Sequence, residues 1–319
     1  MVADTMTSFE LGMPAFVPAP RELLKKPPAP REVFGLREAD RADRGRVAEI
    51  CNEVFCGGDQ LPRHYDEWLD ADDGSFMVAE VEGRLAAMHR AVPAGDGVLW
   101  YEGLRVAREF RGRDLGRSMV EMAASAGSRR GYTEMRLHAG PESGLFFQSV
   151  GVTALVQVAR WDADPSRRGR LPRVLAPEHS DLVLGWLRQD DAFNRYPGMK
   201  PVFGRSADGD RRNVSCLARD GILRFSGEVP SFAAVAAVRP AETEGPLRVT
   251  FLAGAGERVY DLLQGIRHQA HVEGAKRVRV VAPVDHPCAP ELEAAGFAVR
   301  DDFRLTVYSR PLVEAPPRN

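Results

Sequence analysis

The segment EGLRVAREFRGRDLGRSMVEMA, residues 102–123, decides how the rest of the chain is read. Its first part is apolar and β-branched, as a strand requires. Its last part places Leu115, Met119, Val120, Met122 and Ala123 at helical spacing. Between them lies a tight Arg/Gly turn that opens directly into the helix. Such a turn leaves several backbone N–H groups unpaired at a helix N-terminus, where the helix dipole favours an anion. Arg111 and Arg113 add positive charge beside it. Two readings are open on spacing alone: a di- or polyphosphate cradle, or a plain turn with solvated arginines. The chain has neither a Walker lysine motif nor a GxGxxG, so the usual nucleotide loops are excluded.

Outward from this segment the pattern alternates. A strand is expected in VFGLREA from Val33, then a helix from about Arg41 to Val54. FMVAEVEGRLAAMHRAVPA reads as two strands turned at Glu82-Gly83, and VLWYEGLRV as a third. After the helix from Leu115 to about Ser128, Gly131 is a stop and YTEMRLHA a strand. A short helix from Ser143 to Ser149 then leads into the strand VTALVQVARW. The order β-α-β-β-β-α-β-α-β predicts a mixed α/β sheet flanked by helices.

The second half repeats part of this order. Leu104-Arg105-Val106 matches Leu247-Arg248-Val249, and Gly131 matches Gly274, both 143 positions apart. A tandem repeat with a degenerate second copy is the expectation. At that offset Glu102 falls on Gly245 and Arg111 on Gly254, and Glu257 stands where Asp114 does, so the second copy lacks the first one's chemistry. The expected units are a Pro-rich arm (1–31), a first domain (32–163), a linker (164–178) and a second domain (179–312).

Net charge is −2, which gives no pointer to nucleic acid or an anionic membrane. Lysine occurs only at positions 25, 26, 200 and 276; the arginine bias suits either a GC-rich genome or phosphate recognition. Cys51, Cys56, Cys216 and Cys288 form no CxxC pair, and no cluster completes a metal set around His268 and His271. With no signal peptide or bilayer-spanning run in the sequence, the expectation is a reduced, cytoplasmic protein without a metal, monomeric or homodimeric.

Arg111-Gly112-Arg113-Asp114-Leu115-Gly116 resembles the (Arg/Gln)-x-x-Gly-x-(Gly/Ala) signature of GNAT acetyltransferases, with Asp114 in place of the first glycine. FCGGDQLPRHYDEWL, residues 55–69, followed by YEGLRVAREFRG, is similar to the vertebrate histidine N-acetyltransferase family. The resemblance implies the GNAT fold, acetyl-CoA as co-substrate, and transfer to a small-molecule amine, an amino acid such as histidine among them. It implies a cofactor site at Leu104, Arg105, Val106, Arg111, Gly112, Arg113, Asp114, Leu115, Gly116 and Arg117. Asp114 either repels the pyrophosphate or turns outward while its amide still donates.

Acyl transfer to an amine needs a base, oxyanion donors and protonation of the departing thiolate. Glu102 is the candidate base, its alternative a solvated carboxylate. Asp59 is the second catalytic candidate and a possible ligand for the acceptor's ammonium; its alternative is a turn residue. Tyr65 and Tyr101 are candidate acceptor contacts, or else core aromatics. The family's acid tyrosine falls at Phe147, which has no hydroxyl. A catalytically impaired acyl-CoA-binding regulator, and an enzyme acting on a peptide or antibiotic amine, are the competing readings.

Overall fold

The computed structural model describes residues 34–55, 59, 61–72, 74–94, 97–195, 207–241 and 245–312. The Pro-rich arm lies outside them, as do Cys56, Gly57, Gly58 and Gln60 of the 55–69 motif.

The first half runs β1 (Gly35–Glu38), α1 (Arg44–Phe55), α2 (Tyr65–Leu69), β2 (Ser75–Val81), β3 (Arg84–Pro93), β4 (Val98–Val106), α3 (Leu115–Arg129), β5 (Glu134–Ala139), α4 (Pro141–Ser149) and β6 (Thr153–Ala163). The second runs β7 (Arg173–Val174), α5 (Ser180–Leu187), α6 (Asp191–Arg195), α7 (Ala207–Arg219), β8 (Leu223–Gly227), β9 (Phe232–Arg239), β10 (Leu247–Gly254), α8 (Glu257–Val272), β11 (Val278–Pro283), α9 (Ala289–Ala294) and β12 (Ala298–Pro311). The mixed α/β reading holds. The β2–β3 turn has positive φ at both Glu82 and Gly83, the backbone twist that a two-residue hairpin favours.

The strands form one sheet in the order β1-β2-β3-β4-β5-β12-β6-β11-β10-β9-β8-β7. From β8 to β12 the element order repeats that from β2 to β6. Each half gives its last strand to the other: β12 lies against β5 with Tyr308 opposite Leu137, and β6 against β11 with Ala163 opposite Val278. Between them β12 and β6 pair antiparallel. One core packs α8 and α9 on the sheet, including β6 from the first half. Its counterpart packs α3 and α4 on β4 and β5, including Tyr308 and Leu312 from the chain's end. Neither half has a complete apolar core without the other's strand.

The repeat is visible at the helix ends. Helices α3, α4, α8 and α9 are followed by Gly131, Gly151, Gly274 and Gly296, each at positive φ. In all four, paired bonds close the end: Tyr132 N–H to Gly127 C=O with Gly131 to Ser128, and likewise after the other three. This is the Schellman arrangement, which places glycine at C′. The match at Leu104-Arg105-Val106 is corrected. Strand β4 meets β5 at Val98–Trp100, whereas β10 meets β11 at Leu247–Val249. Leu247 is therefore level with Val98, and the shared Leu-Arg-Val triplet does not mark equivalent positions.

Candidate active site

Strand β4 runs beside β5 only from Val98 to Trp100, against Glu134 to Arg136, and beyond that pairs with β3 alone. The two parallel strands part there and leave a gap. Opposite β3 the register jumps from Arg90↔Glu102 to Met88↔Arg105, so Gly103 and Leu104 together face His89. This is a bulge, and Gly103 supplies its positive φ of 71°. A Cβ on Gly103 would lie 2.8 Å from the Trp68 ring, so the bulge rests directly on α2. Past the bulge, Ala107 N–H donates to Ala86 C=O at 2.8 Å. Alternation along an antiparallel pair then turns the backbone groups of Val106, and of Leu104 before it, toward the gap. Arg111 Nε takes the Val106 carbonyl from that side at 3.1 Å.

The turn into α3 is built around buried Phe110, whose ring carries the Arg84 and Arg113 guanidiniums, each 5.4 Å from its centroid. Gly112 has φ 77° and Asp114, the N-cap, φ 62°. Asp114 thus adopts the left-handed conformation that a glycine would supply, and aspartate tolerates it better than most residues. Ser118 N–H reaches Asp114 C=O as the first helical bond. The amides of Leu115, Gly116 and Arg117 precede any intrahelical acceptor, and the Asp114 side chain does not cap them. Its Oδ1 instead accepts from Arg117 Nε at 3.1 Å, and Arg117 also donates to the Ser149 carbonyl at 2.9 Å. The acidic side chain is neutralised and drawn toward the end of α4, out of the cradle. Gly116 lies against Phe146, where a Cβ would be 3.3 Å from the ring.

Glu102 points to the face opposite Tyr101. Its side chain is 8% exposed and accepts from Arg90 Nη1 at 3.1 Å; the Arg90 guanidinium sits 5.1 Å over Trp68. Nearby, Asp59 receives Arg105 Nε at 2.7 Å and Nη2 at 3.1 Å, with Leu61 N–H at 3.0 Å. Burial raises the Asp59 carboxyl, but the Arg105 hydrogen bonds and charge outweigh it and hold the group below its usual value. The bulge therefore has the Arg90–Glu102 and Asp59–Arg105 pairs beside it, and the Arg105 side chain serves Asp59 rather than the gap.

Two expected acceptor contacts are corrected. Tyr65 is fully buried, its hydroxyl donating to the Asp40 carbonyl at 2.6 Å and its ring against Phe76, so it is a packing residue. Tyr101 is sealed beneath α3 and α4, its hydroxyl without a partner among the described residues, and cannot touch an acceptor. Cys51 is buried too. Desolvation, then Asp59, pushes its thiol up to about 12, which removes it as a nucleophile. Phe147 lies in the core with its ring 6.3 Å from that of Tyr308. Gly144 on α4 leaves room for the Tyr308 hydroxyl, which a Cβ there would meet at 2.5 Å. Sequence reasoning missed Tyr308, because only the strand exchange carries it to α4.

The corresponding turn after β10 is closed from within. Gly254 N–H donates to Asp190 Oδ2 and Gly256 N–H to Glu291 Oε1, both at 2.9 Å. Two carboxylates of the chain occupy the amides that a phosphate would need. Among the described residues there is no cluster of metal-ligating side chains, and no helix is long and apolar enough to cross a membrane.

The acetyltransferase (GNAT) family model matches residues 46–145. Over 100 residues the chain is 26% identical to the histidine N-acetyltransferase of Oreochromis niloticus, covering 31% of this chain and 29% of that protein. The chain thus matches less than a third of that relative's length. A GCN5-related N-acetyltransferase from Sphaerobacter thermophilus superposes with TM-score 0.60 at 16% identity, over 88% of this chain and 96% of that one. A tandem GNAT protein from the clavulanic acid biosynthesis pathway gives 0.59 at 14%, over 90% and 100%. A GCN5-related N-acetyltransferase from Anabaena variabilis gives 0.55 at 14%, over 88% and 73%. At these identities the structural likeness speaks for the fold, and the family match for the segment that holds the bulge and the cradle. The chain carries, across residues 46–145, an acetyltransferase domain of the GNAT family.

Proposed function

We propose that the protein moves an acetyl group from acetyl-CoA directly to the amino group of a small molecule, an amino acid such as histidine being the first candidate. The observation that carries this reading is the junction at β4. The gap beside β5 leads straight to unpaired amides at the start of α3, and the one acidic side chain at that cradle is tied to Arg117. A diphosphate fits there: Leu115, Gly116 and Arg117 offer N–H groups, Arg111 and Arg113 charge, and Gly112 and Asp114 the required backbone. The amides of Leu104 and Val106 face the gap, suited to an extended amide-bearing arm and to the oxyanion formed beside it.

In the transfer, the amine nitrogen forms a bond to the acetyl carbon, the C–S bond breaks, and Glu102 takes the ammonium proton directly or through one water. Asp59 holds Arg105, and with it the wall beside the bulge; it acts as a positioning residue. Protonation of the departing thiolate does not fall to Phe147, which has no hydroxyl and lies in the core. In this reading 32–163 and 179–312 are tandem GNAT units joined by 164–178, of which only the first holds acetyl-CoA. The protein needs no metal and works in the cytoplasm as a monomer or homodimer.

Calorimetric titration with acetyl-CoA, then thiol release with a panel of free amino acids, tests this. Micromolar binding and thiol release with one amine are expected. Binding without release for any amine would favour the regulatory reading, to which the missing Phe147 hydroxyl lends support; absence of binding would end both.

A further inference from the structure

A cavity of about 160 Å³ lies between the sheet and the C-terminal half of α3. Its apolar wall includes Met77, Leu99 and Met122; Glu38 and Arg130, both exposed, stand at its rim. It is separate from the cradle. Ala126, on its wall, is eleven residues along α3 from Leu115, about 16 Å at ~1.5 Å per residue.

One lining group is out of character with the rest. His89 is only 2% exposed, and its ring lies against Tyr101 with centroids 5.0 Å apart. Among the described residues no group hydrogen-bonds to the imidazole; Nδ1 is sealed from solvent, which leaves Nε2 as the nitrogen that a ligand in the cavity can meet. Burial lowers its pKa to about 4, so at neutral pH the ring is uncharged, with one N–H donor and one acceptor. Buried polar groups are ordinarily paired, and one left without a partner calls for an account. The bulge supplies part of it. Register places His89 alone opposite Gly103 and Leu104, where the β3–β4 pattern is broken. The rest of the account is the cavity that the ring lines.

We propose that this cavity is a binding site for a small phenol-class molecule, its ring between Met77, Leu99 and Met122 and its hydroxyl hydrogen-bonded to His89. A cavity on the order of 150 Å³ accommodates one benzene-sized ring. A ring fills the apolar wall, and a single hydroxyl, donor and acceptor at once, pairs with Nε2 in either tautomer while Nδ1 stays sealed. A charged group has no counter-ion at that depth, since Glu38 and Arg130 lie at the rim. The site sits under α3 and is independent of the acetyl-donor reading.

The test is titration of the full chain with phenol and with benzene, followed by NMR of the histidine ring protons and by calorimetry. Saturable phenol binding is expected, at least tenfold tighter than benzene, with the His89 signals moving. His89→Phe, which keeps a ring and removes both nitrogens, should lose that preference. Met122→Trp narrows the cavity from a partly exposed position without touching His89 and should abolish phenol binding; it decides the matter if His89→Phe does not fold. Equal affinity for phenol and benzene, or no binding of phenol at 10 mM (about the weakest affinity the site could show and still matter), overturns the proposal and leaves the cavity to water.

Discussion

Replacing Asp59 by Asn isolates the ion pair beside the β4 bulge. The Asp59 side chain is 6% exposed and that of Arg105 19%, with Nε to Oδ2 at 2.7 Å. Removing one partner of a buried pair costs about 3–5 kcal/mol, because the other charge is left uncompensated. Arg105 keeps its bond to the Leu104 carbonyl at 3.0 Å and retains some contact with solvent, and Asn still accepts from Leu61. These reduce the expected loss to about 2–3 kcal/mol, or roughly 4–10 °C in Tm. The sign with pH is fixed by the direction of the Asp59 shift. Burial alone would raise the carboxyl, but Arg105 holds it below the usual 3.8. Its contribution is therefore fully present above the unfolded-state pKa and fades as pH falls through the folded one. Urea unfolding of both proteins between pH 7 and pH 3 reads this as two midpoints that converge only below about pH 4. Equal midpoints at pH 7, or a gap that persists unchanged to pH 3, would show that the pair does not hold the bulge.

Glu102→Gln is expected to slow acetylation by about 10²-fold or more at neutral pH, the scale of a lost general base; an unchanged pH–rate profile would remove Glu102 from the reaction. Asp114→Gly should leave the acetyl-CoA dissociation constant within about threefold, since the carboxylate already faces Arg117, whereas Asp114→Ala should destabilise the turn by about 1–2 kcal/mol by forcing alanine into a left-handed conformation. A tenfold gain in affinity on Asp114→Gly would mean that the carboxylate repels the ligand after all. Burial holds both His89 and His286 to about 4, so the unfolded chain protonates first as pH drops. Stability should decline between pH 6.5 and 4 by up to about 3 kcal/mol for each, and His89→Phe should flatten that slope; a flat wild-type profile would contradict the burial of both rings.

The elements and the Arg/Gly turn that opens α3 are legible in the local residue pattern. Hydrophobic period separates strand from helix in VLWYEGLRV and in Leu115–Ser128, and a glycine after each of α3, α4, α8 and α9 ends the helix, because these are properties of neighbouring residues. The Arg/Gly turn before Leu115 was legible for the same reason. The remaining features depend on partners far apart in the chain. Nothing in the local pattern of β12 says that it inserts beside β5 and brings Tyr308 to α4, since which edge a strand joins depends on partners remote in the chain. The turn after β10 looks as glycine-rich as a phosphate loop, and it is Asp190 and Glu291 that close it. Tyr65 and Tyr101 have the right chemistry for substrate contacts, and burial alone withdraws them. Asp114 reads as a repulsive charge until Arg117, one helical turn on, is seen to hold it with the end of α4. Short-range preference fixes what each segment is; which side chains meet water, ligand or each other is settled by how the two halves share one sheet.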